Sequence, residues 1–188
     1  MPGEVLITED SSRKLTIFRN LILEWNPRIN LTGFRASKEI DEILIGESVR
    51  ALSAISVSSK RVLDFGSGAG IPGLVWAICD PSAKITSVEI RHKKIAFQKE
   101  VLRSTDVEAE VVQGHFPEAV SGRKFDFIVS RGIRFSPQMF REAIGLLAPN
   151  GMLIRFASPG TVDEGWDSLS ISQRTTLMFH MKMFSPKQ

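Results

Sequence analysis

A short apolar run, Arg61–Phe65, leads directly into Gly66-Ser-Gly-Ala-Gly70 and then into an apolar segment of helical length. This junction constrains the chain more than any other feature. Three glycines in five residues permit positive φ in a tight turn and let a ligand approach the backbone. The following segment, Ile71–Ile78, reads as a helix, so the free N–H groups of its first turn face the same spot. Strand, glycine loop and helix in this order open an α/β sheet. Such sheets bind ligands outside the carboxyl ends of their strands.

The rest of the chain extends that pattern. Lys84–Ile90, Glu108–Gln113, Phe125–Ser130 and Met152–Ala157 read as strands, and Lys93–Ser104 and Pro137–Leu147 as helices, with Pro149-Asn-Gly151 as a turn. Alternation of this kind implies a mostly parallel sheet with right-handed crossovers. Near the C-terminus, Leu177, Phe179, Met181 and Met183 recur with period two and no helix follows. Leu169 and Ile171 supply a short partner strand through Ser172-Gln-Arg174, giving an antiparallel hairpin and a seven-stranded sheet. Before Lys60 the reading is helical. Leu15, Phe18, Leu21, Ile22 and Trp25 recur at helical spacing, with Asp10, Ser11 or Ser12 as the cap. Asn26–Gly33 reads as a loop, and a second helix from Ser37 turns Ile40, Leu44, Leu52 and Ile55 inward. The expectation is one domain: a helical extension over residues 1–59 on a Rossmann-like α/β core over residues 60–188.

A length of 188 residues with 43% hydrophobic and 24% charged content suits one globular domain. No stretch approaches the roughly 20 apolar residues of a membrane span, and no secretory signal is visible. Cys79 is the one cysteine, which fits a reducing compartment, so cytoplasm is expected. His92, His115 and His180 lack metal-ligand spacing, and no metal is expected. A net charge of +3 permits a nucleic-acid partner without arguing for one. Its distribution says more: Arg91, Lys93 and Lys94 follow one strand, and Arg131 and Arg134 follow another. In a parallel sheet both groups fall at the carboxyl edge.

The loop admits specific ligands. A helix N-terminus suits an anionic group, which in S-adenosyl-L-methionine is the amino-acid carboxylate. Asp64 is placed for that ligand's ammonium, directly or through water, and Glu89 for its two ribose hydroxyls. Gly68-x-Gly70-x-x-Gly73 also satisfies the nicotinamide-dinucleotide pattern, with Glu89 near the required distance. That reading leaves Gly66-Ser67 unexplained. A glycine turn without a ligand is the third reading.

Five segments taken in order carry a family resemblance: Trp25-Asn-x-x-Ile-Asn-Leu-Thr32, Val62-Leu-Asp-Phe-Gly-Ser-Gly-Ala-Gly-Ile-Pro-Gly73, Lys93-Lys-Ile-Ala-Phe97, Ser130-Arg131 and Leu146-Leu-Ala-Pro-Asn-Gly151. Over roughly residues 15 to 157 the chain resembles the glucose-inhibited division protein B family, bacterial methyltransferases of small-subunit ribosomal RNA that modify N7 of one guanine. The resemblance implies a class I methyltransferase fold, S-adenosyl-L-methionine as cofactor and ribosomal RNA or the small subunit as partner; separately, a monomer with no membrane partner is expected. By position the resemblance implies cofactor contacts from Gly66 and Ile71 and adenine-side contacts from Phe116 and Pro117, beside the contacts from Gly68 and Gly70 that the loop itself leads one to expect. It places Arg131 beside the transferred methyl as the catalytic candidate. Three segments depart from the family. Glu89 stands where Asp is usual, His115-Phe-Pro-Glu118 replaces Arg-x-Glu-Glu, and Arg155-Phe156 replaces a Lys-Gly pair.

Guanine N7 carries a free lone pair in the major groove, so its methylation needs alignment and no general base. Arg131 and Arg134 are then expected to bind guanine O6 or a phosphate through arginine's fork. A basic first turn opposes the helix dipole, so Lys93 and Lys94, with Arg155, are read as RNA contacts. Trp25 and Phe18 share one stripe and read as core, as does Cys79. Two other functions stay open: methylation of a small molecule or protein, and a cofactor-bound module assisting ribosome assembly without catalysis.

Overall fold

The computed structural model describes residues 7–157, 167–169 and 180–184. Helix α1 spans Glu9–Ile29, and Thr8 caps it by accepting from the Ser11 backbone N–H at 3.1 Å. The cap therefore lies before Asp10, Ser11 and Ser12, and the acidic pair Glu9 and Asp10 suits the dipole of the first turn. Ser11 is buried and donates to the Ile78 carbonyl, fixing α1 to the helix behind the glycine loop.

The segment expected as a loop from Asn26 is helical as far as Ile29. Pro27 lies in the last turn, where one lost N–H bond is tolerated, and Asn30 ends the helix with φ 52°. Buried Asn26 then staples the exit: its amide donates to the Phe34 carbonyl and its oxygen accepts from Thr32 N–H. Beyond it come α2 (Ser37–Glu39), a π-helical turn over Ile40–Ile45 and α3 (Gly46–Ala51). Ile40, Leu44 and Ile55 are buried as expected, while Leu52 is half-buried.

The sheet has seven strands: β1 (Arg61–Phe65), β2 (Lys84–Glu89), β3 (Glu110–Gln113), β4 (Phe125–Arg131), β5 (Leu147–Ala157), β6 (Asp167–Leu169) and β7 (His180–Phe184), in the order β3-β2-β1-β4-β5-β7-β6. The first five pair in parallel, and β7 runs antiparallel to both β5 and β6. The expected C-terminal hairpin strands are present at Leu169 and from His180; Ile171, the Ser172–Arg174 connection and Leu177–Phe179 lie outside the described residues. Pro149-Asn-Gly151 is an irregularity within β5 and not a separate turn. Phe125 pairs with Leu147 but Phe127 with Met152, and Asn150 has φ 60°.

Strands buried on both faces read as continuous apolar runs, and β1 is exposed at Arg61 alone. On one face Val62 packs with α1, α3, α4 (Gly73–Cys79) and α5 (His92–Thr105) around Phe18, Ile22, Trp76 and Phe97. On the other, Leu63 and Phe65 pack with α6 (Pro137–Gly145) and a 3-10 turn over Glu118–Val120. The period of two along β1 thus sends Asp64 toward α4 and its neighbour Phe65 to the opposite layer. Among the described residues no helix is long and apolar enough to cross a membrane.

Candidate active site at the carboxyl edge of the sheet

The chain leaves β1 through Gly66, Gly68 and Gly70, whose φ values are 64°, 58° and 79°. At the apex, Gly68 occupies left-handed backbone that a side chain would strain. Gly66 and Ser67 both donate to the Val88 carbonyl, and Gly70 closes a turn onto Ser67. Helix α4 starts at Gly73, two residues after the expected Ile71. A Cβ on Gly73 would stand 2.8 Å from Asp64 Oδ2, so only glycine lets the helix approach the carboxylate.

Asp64 is fully buried and Oδ2 accepts from Gly73 N–H at 2.8 Å. Its other oxygen, Oδ1, is buried without a hydrogen-bond partner among the described residues. Burial pushes this carboxyl up to about 7; the Gly73 N–H and more distant Arg131 oppose the shift, and Glu89 adds to it.

Glu89 is also buried, and its carboxylate is already engaged. Oε2 accepts from Gly68 N–H, and Oε1 accepts from Ile90 and Arg91 N–H, each at 2.9 Å. A carboxylate offers about four lone-pair sites, so three are taken by backbone. Glu89 therefore braces the loop, and one free site remains where two ribose hydroxyls were expected to bind.

Beside it lies a cleft of about 320 Å³ between the ends of β1, β2 and β4, lined among others by Gly66, Glu89, Ile90, Lys94, Phe116 and Ile133. Ile90 is 48% exposed, although most large apolar side chains of the fold are buried. Phe116 stacks on Phe65 with ring centroids 4.2 Å apart. A larger recess of about 1160 Å³ sits at the opposite edge, among the starts of β1 to β4. Its Arg123, Glu110 and Thr86 satisfy one another, and it is remote from the loop. The smaller cleft is the candidate site.

Arg131 ends β4 at this edge but turns away from solvent. Nη2 donates to Glu47 Oε2 at 2.6 Å and to the Ile43 carbonyl at 2.9 Å, and the guanidinium lies 5.1 Å from the Phe156 ring centroid. Burial pulls its pKa down while Glu47 holds it up. The expected cleft cation is instead the clasp between sheet and helical extension.

The model of the GidB family, rRNA small subunit methyltransferase G, matches residues 11–164. The chain belongs to the GidB family. It is 32% identical over 163 residues to a ribosomal RNA small subunit methyltransferase G from Geobacter metallireducens, covering 85% of this chain and 74% of the relative. A relative of the same name from Burkholderia lata is 34% identical over 159 residues, covering 80% and 68%. Among solved structures, a methyltransferase from Pyrococcus furiosus aligns with TM-score 0.61 at 15% identity, covering 93% of this chain and 98% of its own. The T. thermophilus 16S rRNA N2 G1207 methyltransferase, in complex with AdoMet and guanosine, aligns with TM-score 0.60 at 18% identity, covering 76% and 42%. At such identities the structural likeness speaks for the fold. The family makes this chain a methyltransferase.

S-adenosylmethionine is the cofactor of the GidB family, and the residues present fit it. A buried acceptor without a partner, Asp64 Oδ1, suits an ammonium or bridging water. The open site on Glu89 suits a ribose hydroxyl, and the Ile90 and Phe116 side chains suit a purine. Other expected GidB contacts fall elsewhere. The Ile71 side chain is in the core at 5% exposed, because its turn faces α4. Pro117 is not part of the cleft lining, whereas His115 is. Of the four cations read as RNA contacts, Lys93 and Arg134 are exposed. Lys94 lines the cleft beside Gly68, and half-buried Arg155 lies 5.9 Å from the Phe135 ring.

Sequence reasoning missed Ile90, Ile133, Glu47 and Gln98. For Gln98 a signal existed: it shares the buried stripe of α5 with Ile95, Val101 and Thr105, where a polar side chain needs a partner. Glu47 lies 84 residues from Arg131, and no local pattern joins them.

Proposed function

We propose that this protein transfers the methyl group of S-adenosylmethionine to N7 of a guanine in small-subunit ribosomal RNA, in the cytoplasm. The observation that carries the reading is the carboxyl-edge cleft, where the loop braced by Glu89 adjoins exposed Ile90 and half-buried Phe116, in a chain of the GidB family. When bound, the cofactor supplies an electrophilic methyl on sulfonium. Guanine N7 forms the new bond, the carbon–sulfur pair returns to sulfur, and the positive charge passes to the base. No proton moves, so the protein's work is alignment and exclusion of water.

Asp64 takes the ammonium, Gly66, Gly68 and Gly70 admit the methionine moiety, and Glu89 receives one ribose hydroxyl. Ile90 and Phe116 hold the adenine. Arg131 anchors the helical extension over the site, exposed Lys93 and Arg134 meet RNA phosphates, and Lys94 lines the cleft. Labelled cofactor incubated with small subunits lacking the modification should deposit label in the RNA, and mapping should place it on guanine N7. Label only in a small molecule or protein, or binding without label, would sink this reading.

A further inference from the structure

We propose that Gln98 is a positioning residue for the cofactor, acting by fixing the apex of the glycine loop. The inference rests on the cofactor reading above. Gln98 lies on α5, is 0% exposed, and makes three side-chain hydrogen bonds. Nε2 donates to the Gly68 carbonyl at 2.9 Å and to Ser67 Oγ at 2.8 Å, while Oε1 accepts from Ser87 Oγ at 2.6 Å. The direction of the amide is dictated by chemistry. A carbonyl has no proton to give, so Nε2 faces Gly68 and Oε1 is left for the Ser87 hydroxyl. Ser67, accepting from Gln98, then turns its own proton toward the Val88 carbonyl.

The consequence is that both sides of Gly68 are gripped by side chains of other elements. Its N–H is held by Glu89 and its C=O by Gln98. A glycine at positive φ has many other conformations available, and the loop has no ladder to choose among them. Ser87 on β2 and Gln98 on α5 make that choice, and both are fully buried. Glu89 cannot do so alone, because a carboxylate can hold the Gly68 N–H but has no proton to give the Gly68 carbonyl. With Gln98 in place, the loop keeps its shape while Glu89 turns part of its capacity to the ligand.

The test uses the full chain and S-adenosylhomocysteine as the probe, with affinity read by calorimetry. Gln98→Glu keeps the shape but presents an oxygen to the Gly68 carbonyl, and Gln98→Leu removes all polarity. Ser87→Ala removes only the orienting hydroxyl and serves if the stronger variants fail to fold. We expect Kd to rise about tenfold or more in either Gln98 variant and about threefold in Ser87→Ala. KM for the methyl donor should rise in parallel, with kcat at saturation within about twofold of wild type. A lower unfolding temperature with Kd unchanged would make Gln98 a packing residue and overturn the proposal. If wild type binds no S-adenosylhomocysteine, the cofactor reading itself falls; if wild type binds and the variants match it, only this inference falls.

Discussion

Arg131 and Glu47 form a buried ion pair, with Nη2 and Oε2 2.6 Å apart and side chains 7% and 4% exposed. The pair joins the carboxyl end of β4 to α3, so the helical extension is held at the site by charge as well as by apolar packing. Removing one partner of such a pair leaves a buried charge uncompensated, at a cost of about 3–5 kcal/mol. Arg131→Ala and Glu47→Ala are each expected to destabilise the fold by that order. Their double variant should cost well under the sum of the two, in denaturant unfolding. Simple additivity would show that the pair is not coupled.

Glu89 is expected to govern cofactor affinity by two routes, bracing Gly68 and receiving a ribose hydroxyl. Glu89→Gln keeps the volume but sets an NH₂ against a backbone N–H. Losing charge-assisted bonds worth about 2 kcal/mol corresponds to roughly thirtyfold in Kd. Calorimetric titration of the variant with S-adenosylmethionine is the check, and an unchanged Kd would refute the assignment.

Asp64 makes stability depend on pH. Its folded pKa, about 7, lies above the ordinary 3.8, so between these values the native state holds more protons than the unfolded state. Stability from this group is full below pH 3.8 and is lost as pH rises through about 7. Asp64→Asn should flatten that slope, measured as denaturant midpoints from pH 4 to pH 8. An ammonium on Asp64 favours the ionised form, so cofactor binding should release a proton near neutrality. Binding heats that do not vary with the buffer's ionisation enthalpy would count against the ammonium contact.

Arg134 and Lys93 are exposed, so their removal should leave fold and cofactor affinity unchanged. If they meet phosphates, each alanine variant should weaken RNA binding and reduce the steepness of its salt dependence by roughly one counterion. Equal salt slopes for wild type and the variants would return both residues to ordinary solvated surface.

Asn26 holds the turn after α1 through two hydrogen bonds to backbone. Asn26→Ala leaves a donor and an acceptor unmet and should cost about 1–3 kcal/mol in unfolding, with cofactor Kd unchanged. A shift in Kd as large as that of Glu89→Gln would assign this turn to the site instead.

What the sequence by itself determined was local or repeated. Periodicity marked α1 and the five parallel strands, because one buried face or two leave a count in the residues. The glycines at 66, 68 and 70 announced their positive φ, because few other residues accept it. Five ordered segments announced the family. Tertiary structure alone decided how polar groups pair across distance. Arg131 reads as a strand-end cation until α3 brings Glu47 to it. Glu89 reads as a free acceptor until the loop folds back and brings Gly68 N–H to a carboxylate that already holds the N–H groups of Ile90 and Arg91. Ile71 reads as a ligand contact until the turn buries it against the helices. Pairing of buried charges and amides depends on which elements pack together, and spacing along the chain does not encode that when the partners lie 84 residues apart, as Arg131 and Glu47 do.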